Sequence, residues 1–149
     1  MRDEARLAGN EGWLVEDMSS LAESILEQIA DAVIYADETG TIRRWNHAAA
    51  ALFGYGTAEV LGQNLDLIIP EHLRAAHWRG FEAAMTNGVM KLQGRPTVTR
   101  ARHQTGRKLY VEMTFALVKG QAGGVARGAV AVARDVTERI EQQRAGVEP

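Results

Sequence analysis

Residues 109–117 carry the strictest hydrophobic pattern in the chain. Every second position is large and apolar, and the positions between are polar or small, with Leu109, Val111, Met113, Phe115 and Leu117 in alternation. This period of two predicts a β-strand with one buried face. Strand-like stretches at 91–102 and 126–136 lie on either side of it, separated by turn sequences at 104–106 and 121–124. The last third of the chain therefore predicts three strands.

The first half of the chain predicts helices around a two-stranded hairpin. Apolar residues recur at three- and four-residue spacing from Trp13 to Ile29, which is typical of an amphipathic helix that needs a partner surface. Two short strands, 32–37 and 41–45, flank a turn, and Asn46 is placed to cap a short helix over 47–53. A longer helix is expected over 71–85 and a short one from 138 to about 144. This order favours an α+β fold, a five-stranded antiparallel sheet with helices over one face.

Composition and charge exclude several classes of protein. The 149 residues suffice for one domain, and a formal net charge of −2 lacks the positive excess that nucleic-acid binding needs. The absence of cysteine excludes disulfides, thiolate metal sites and a cysteine photo-adduct. No apolar run approaches the roughly 18 residues of a membrane span, and the charged first residues contain no signal sequence. We therefore expect a cytoplasmic protein with neither a membrane nor a nucleic-acid partner.

The helix at 71–85 carries the pattern that is most informative about function. Leu73, His77, Phe81 and Ala84 share one stripe of a 3.6-residue helix, so His77 is predicted to face the sheet between apolar neighbours. A neutral imidazole nitrogen in an apolar cup suits haem iron as an axial ligand. The alternative is a core histidine that hydrogen-bonds a backbone carbonyl. The sequence contains no nucleophile elbow, zinc-protease motif or P-loop, and we expect no enzyme activity.

Two stretches of the chain resemble a PAS domain. The sequence AVIYADETGTIRRWNHAAAALFGYGTAEVLGQNLDLIIPE is similar to the front half of that family, and YVEMTFALV with GAVAVARDVTERI is similar to its last two strands. The resemblance implies a sensory and dimerising module whose sheet and helices enclose a ligand. It divides the chain into a flexible N-terminus (1–12), a cap or dimerisation helix (13–30), the PAS core (31–137) and a C-terminal signalling helix with its tail (138–149). The cap helix would pack across a dimer partner or, alternatively, fold back on its own sheet.

The helix around His77 also resembles the haem-binding helix of oxygen-sensing PAS domains in bacterial sensor kinases and phosphodiesterases. Their pattern is matched here by Pro70, Leu73, Arg74, His77 and Phe81. The resemblance implies that His77 is the proximal ligand of haem iron. It also implies that four further residues face the porphyrin or its distal side, namely Leu92, Arg95, Met113 and Phe115. Arg95 stands where some of these domains hold a ligating methionine, and Met113 is a second candidate for the sixth iron ligand.

These resemblances imply a homodimeric sensor that binds b-type haem and responds to O2, CO, NO or the redox state of iron. Its effector would be a kinase, a cyclase or phosphodiesterase, or a transcription regulator, either on a separate protein or on a part absent from this chain. Two alternatives stay open. One is an interaction or small-ligand module without haem. The other is non-covalent FAD binding, for which Trp45, Asn46 and Trp78 offer stacking and hydrogen-bonding groups.

Overall fold

The computed structural model describes residues 18–91, 94–120 and 123–146. Residues 18–28 form helix α1. The strands and α-helices that follow are β1 (Ala32–Asp37), β2 (Ile42–Trp45), α2 (His47–Phe53), α3 (Thr57–Val60), α4 (Arg74–Asn87), β3 (Thr97–Arg102), β4 (Lys108–Lys119), β5 (Ala126–Asp135) and α5 (Thr137–Arg144). Two 3-10 helices, Leu65–Ile68 and Glu71–Leu73, precede α4. The expectations for 1–12, for the start of the first helix from Trp13, and for the tail at 147–149 lie outside the described residues.

The five strands of the described residues form one antiparallel sheet in the order β2-β1-β5-β4-β3. The last strand, β5, lies at the centre between β1 and β4, whereas β2 and β3 are the edges. The longest pairing joins β4 and β5, from Val111 opposite Asp135 to Lys119 opposite Ala126. The predicted α+β fold with a five-stranded antiparallel sheet is confirmed.

The hydrophobic core lies between one face of the sheet and the short helices. Side chains of α2, α3 and the first 3-10 helix pack there against β1, β2 and β4. The largest fully buried side chains are Phe53, Ile42, Leu109, Val60 and Val111. The alternation predicted for β4 therefore places its apolar side chains on the core face of the sheet.

Tyr110 is buried although the alternation of β4 places it on the other face of the sheet. Helix α5 covers it there. The backbone N–H of Tyr110 donates to the Thr137 hydroxyl at 3.0 Å, and the N–H of Val136 donates to the Tyr110 carbonyl at 2.9 Å. The guanidinium carbon of Arg144 lies 5.0 Å from the centre of the Tyr110 ring. The outer face of the sheet is thus partly covered at the end near α5.

Two predicted element boundaries differ from the structure. The stretch expected as a strand from Lys91 becomes β3 only at Thr97. Gly94, with φ of 73°, and Pro96, which has no backbone N–H to donate, interrupt the extended run. The helix expected from Glu71 begins as a separate 3-10 turn. Helix α4 starts at Arg74 and ends at Asn87, and Gly88 caps it with φ of 68°.

Asn46 is buried, with 4% of its surface exposed, and joins three elements. Its Oδ1 accepts from the backbone N–H groups of Val33 at 2.9 Å and Ala49 at 3.0 Å. Its Nδ2 donates to the carbonyl oxygens of Leu26 at 2.8 Å and Asp31 at 3.0 Å. The predicted cap of α2 is therefore also the connection that holds the end of α1 to the sheet.

Helix α1 leaves its apolar stripe in solvent. Met18, Leu21 and Ile25 are 67%, 56% and 51% exposed. An ion pair between Glu23 and Arg44, at 3.3 Å, links the polar side of the helix to β2. Over 18–28 this stripe is available to a partner. No helix of the described residues is both long and apolar enough to cross a bilayer.

Candidate ligand-binding site

The inner face of the sheet has a floor of small side chains at its centre. The residues at the inward-facing positions of β5 are Ala129, Ala131 and Ala133. In β1, Ala36 lies opposite Ala129, Ile34 opposite Ala131, and Ala32 opposite Ala133. Apart from Ile34, these side chains are methyl groups, which fill much less volume than the leucine or isoleucine usual at such positions. We call this part of the sheet the alanine floor.

Burial along β4 and β5 shows where that space lies. Leu109 and Val111 are fully buried, whereas Phe115 and Leu117, further along the same face, are only half-buried. Ala131, opposite Phe115, is half-buried as well. Packing by the short helices is thus complete over one part of the sheet and only partial around Phe115, Leu117 and Ala131.

Helix α4 carries an aromatic cluster. Phe81 and Ala84 are buried, and His77 is half-buried one turn before Phe81. The ring centres of His77 and Phe81 lie 6.1 Å apart in a stacked arrangement, and those of His77 and Trp78 lie 4.8 Å apart at nearly right angles. The stripe predicted from the helical period therefore forms, with His77 among apolar and aromatic groups.

Hydrogen bonds hold the start of α4 in place. Trp78 donates its indole N–H to the Asp66 carboxylate at 2.8 Å. Arg74 donates to the carbonyl oxygens of Ile69 at 3.1 Å and Asp66 at 3.2 Å. The Trp78 ring also lies directly over Gly40 in the β1–β2 turn, where a Cβ atom would overlap it. The orientation of α4, and with it the direction of His77, is thus set by contacts on two sides.

The His77 ring is held neutral. Burial lowers its pKa below the usual value, and the Asp66 carboxylate opposes this shift only in part. Its Nδ1 atom is buried and has no hydrogen-bond partner among the described residues. A buried polar nitrogen without a partner is costly, by about 1–3 kcal/mol, and a neutral imidazole is the form that binds metals. The histidine is therefore chemically suited to hold haem iron.

The other predicted site residues lie at several places. Met113 is buried in the core and Phe115 is half-buried on the same face of β4. Leu73 is half-buried at the start of α4, and Arg95 is exposed before β3. Leu92 lies outside the described residues.

The loop before β3 approaches the floor of the cup. The N–H of Gly94 points at the Phe115 carbonyl, 3.5 Å away. The exposed Arg95 follows Gly94 directly, so its side chain starts at this edge of the cup. Its predicted contact with a ligand stays a prediction.

The three residues considered for a flavin are engaged in the fold. Trp45 is buried and donates its indole N–H to the Tyr55 carbonyl at 3.0 Å. Asn46 and Trp78 direct their polar groups to the backbone and to Asp66. Within the described part of the chain, no group of three histidine, aspartate or glutamate side chains is arranged to hold a metal ion by itself.

The alanine floor is the feature that the sequence reasoning missed. The signal was present, because Ala129, Ala131 and Ala133 alternate with valine and arginine in β5. Its meaning depends on the neighbouring strands, since Ala36 and Ala32 come from the other end of the sequence.

Comparison with known families identifies the fold. The model of the PAS fold matches residues 20–136, so the chain belongs to the PAS family. A solved PAS domain of a protein from Colwellia psychrerythraea is similar over 82% of this chain and 99% of its own, with a TM-score of 0.70 and 20% identity.

Curated relatives are longer proteins, and two of the three described here are named as sensors. The oxygen sensor protein DosP of Escherichia coli is 30% identical over 118 residues, which are 79% of this chain and 14% of that protein. The sensor protein FixL of Bradyrhizobium diazoefficiens is 43% identical over 54 residues, which are 36% of this chain and 11% of FixL. An uncharacterized protein of Azorhizobium caulinodans is 33% identical over 93% of this chain and 18% of its own length. The chain thus spans less than a fifth of these relatives.

Proposed function

We propose that this PAS domain senses a diatomic gas (O2, CO or NO) or the redox state of iron through b-type haem held by His77. The observation that carries the proposal is the buried, unpartnered Nδ1 atom of His77 on a ring that burial keeps neutral. Ala131 and Phe115 are half-buried on the inner face of the sheet, and we place the ligand against that face. The similarity to a protein named as an oxygen sensor supports the same assignment.

Each part of the cup has a role in this proposal. Bound haem would supply an iron centre that takes up a gas or changes oxidation state. His77 would hold the iron, and the apolar side chains of Leu73, Phe81, Leu92 and Phe115 would exclude water from the ligand. Arg95 would donate a hydrogen bond to a ligand group, and Met113 would be the candidate for a sixth iron ligand. The domain itself performs no catalysis.

The signal leaves through the terminal helices. Movement of β5 and β4 reaches α5, because Val136 and Thr137 are hydrogen-bonded to Tyr110. The exposed stripe of α1 pairs with a second copy of the chain, since burying Met18, Leu21 and Ile25 removes a large apolar surface from water. The effector is a kinase, a cyclase or phosphodiesterase, or a transcription regulator, and the domain acts in the cytoplasm.

Absorption spectra test the assignment directly. Protein supplied with haem is compared in the ferric, reduced and CO-treated states with His77→Ala and with His72→Ala as the matched control. His72 is exposed in the 3-10 turn before α4. We expect a Soret band that shifts on reduction and on CO addition, is lost in His77→Ala and persists in His72→Ala. Full haem retention by His77→Ala would refute the assignment.

The alternative is a PAS module that binds a small organic ligand or a partner without haem. The alanine floor favours it, since a surface of methyl groups offers apolar contact to many small ligands. A protein that shows no Soret band after haem reconstitution, while circular dichroism shows an intact fold, would establish this alternative. A flavin spectrum after purification would instead establish non-covalent FAD.

A further inference from the structure

A second groove lies on the opposite side of the sheet from the cup. It has a volume of about 450 Å³ and is formed by β3, β4 and α5. Its walls include Val98 and Arg100 from β3, Tyr110 from β4, and Ile140 and Arg144 from α5. The groove does not involve His77 or the alanine floor, so its function is separate from the proposed haem site.

The charged residues that line this groove are all positive. Arg100 and Arg144 both line it, and none of the described residues that line it is acidic. The nearest carboxylate on the same face of β4, Glu112, is paired with Arg139 at 3.4 Å. The whole chain has a net charge of −2, so two guanidinium groups around one groove are a local excess of positive charge.

Arg100 and Arg144 are held differently. The Nε atom of Arg100 is buried and has no hydrogen-bond partner among the described residues. The guanidinium of Arg144 lies 5.0 Å from the centre of the Tyr110 ring, in a cation–π contact that leaves its edge N–H groups for another acceptor. Both groups can therefore donate to an added anion, and such an anion would also remove their mutual repulsion.

The size and the apolar part of the groove point to more than a free ion. A volume of about 450 Å³ falls within the usual range of sites for organic ligands. Val98 is 42% exposed, and Ile140 and the Tyr110 ring supply further apolar surface. Among the strands of the described residues, β3 is an edge strand. An extended segment along β3 with acidic and aliphatic side chains in alternation would turn its acidic side chains to the outer face, where Arg100 and Arg144 lie, and its aliphatic side chains to the other face.

We propose that this groove binds an acidic, partly aliphatic peptide segment of a partner protein, with its carboxylates on Arg100 and Arg144. Binding there bridges β3 to α5, the helix that follows the sheet. The bound segment would therefore hold α5 against Tyr110 and hinder its release from the sheet.

Fluorescence anisotropy with a labelled peptide of alternating glutamate and valine tests the proposal on the full chain. The same measurement with alternating glutamine and valine separates charge from shape. We expect the glutamate peptide to bind more tightly, with an affinity that falls as salt is raised. Arg100→Gln and Arg144→Gln should each weaken binding by about tenfold, the loss expected for one charged hydrogen bond. Arg79→Gln, an exposed arginine on α4, is the matched control and should leave the affinity unchanged.

Three results would overturn the proposal. The first is equal affinity in the Arg100→Gln, Arg144→Gln double variant when circular dichroism shows that it is folded. The second is displacement of the peptide by inorganic phosphate at an equal concentration, which would make the groove a site for free anions only. The third is hydrogen exchange in 137–144 that is not slowed by the peptide. None of these three measurements depends on haem, so they test the peptide groove independently of the haem assignment.

Discussion

Replacing Asn46 with alanine removes, among others, four hydrogen bonds of 2.8–3.0 Å from one buried side chain. Two of them satisfy the backbone N–H groups of Val33 and Ala49, both in buried residues. The other two satisfy the carbonyl oxygens of Leu26 and Asp31, which are half-buried and can turn to water in the variant. The substitution therefore acts on β1 and α2 most strongly and loosens α1.

The free energy of unfolding should fall by about 2–4 kcal/mol. Loss of the helix cap costs about 1 kcal/mol, and a buried N–H left without an acceptor costs about 1–3 kcal/mol. Domains of this kind have a total stability of about 5–15 kcal/mol, so the variant would keep its fold with a clearly reduced margin. The corresponding decrease in Tm is about 10 °C.

Urea unfolding followed by circular dichroism measures the effect, with Asn64→Ala as the control. Asn64 also caps a helix, accepting from the Asp66 N–H at 2.8 Å, but it is exposed and makes no comparable set of bonds. We expect about 0.5–1 kcal/mol for that variant. Asn46→Asp keeps the oxygen that accepts from Val33 and Ala49, but it replaces the donating Nδ2 with an oxygen that faces two carbonyls. Comparison with Asn46→Ala therefore separates the accepting bonds from the donating bonds. A loss in Asn46→Ala no larger than in Asn64→Ala would refute the reasoning.

Two further predictions concern the β1–β2 turn. Partial burial acts to raise the pKa of Asp37, but four hydrogen bonds from its own turn and β2 outweigh it and lower the pKa to about 2. Stability should therefore fall by about 1–2 kcal/mol as pH drops from about 5 to 2, and Asp37→Asn, unlike Glu38→Gln, should lessen this fall in acid unfolding. Gly40→Ala should cost about 2–3 kcal/mol, because positive φ and overlap with Trp78 add; Gly106→Ala, with positive φ in open space, should cost about 1. Equal urea midpoints for Gly40→Ala and Gly106→Ala would show that overlap with Trp78 does not add to the loss of stability.

The local pattern of the sequence predicted the strands and the stripe of α4 because both depend on near neighbours. In a strand, backbone geometry alone decides that Leu109 and Val111 share a face. In a helix, it decides that residues three and four positions from His77 share its face. The predicted start of β3 at Lys91 was wrong, because Gly94 and Pro96 interrupt the extended backbone and the strand begins only at Thr97. These are effects within a few residues of the chain.

The parts that the sequence did not predict depend on distant residues. Tyr110 is buried because α5 returns to it, and Asn46 donates to carbonyls of residues far earlier in the chain. The alanine floor arises because β5 lies beside β1, a strand order that neither segment specifies by itself. Such contacts require the topology to be known before their side chains can be assigned.

The central place of the last strand has a consequence for how the molecule is made. Asp31, just before β1, bonds Arg134 near the end of β5, across 103 residues of chain. Closing so long a loop is slow, and a nascent chain lacks the strand that joins β1 to β4. During synthesis the β1–β2 hairpin and the strands β3 and β4 therefore lack the strand that lies between them in the finished sheet. The alanine floor can form only after β5 has left the ribosome, because β5 supplies three of its alanines. The domain therefore completes its sheet and its ligand-binding face in the same step.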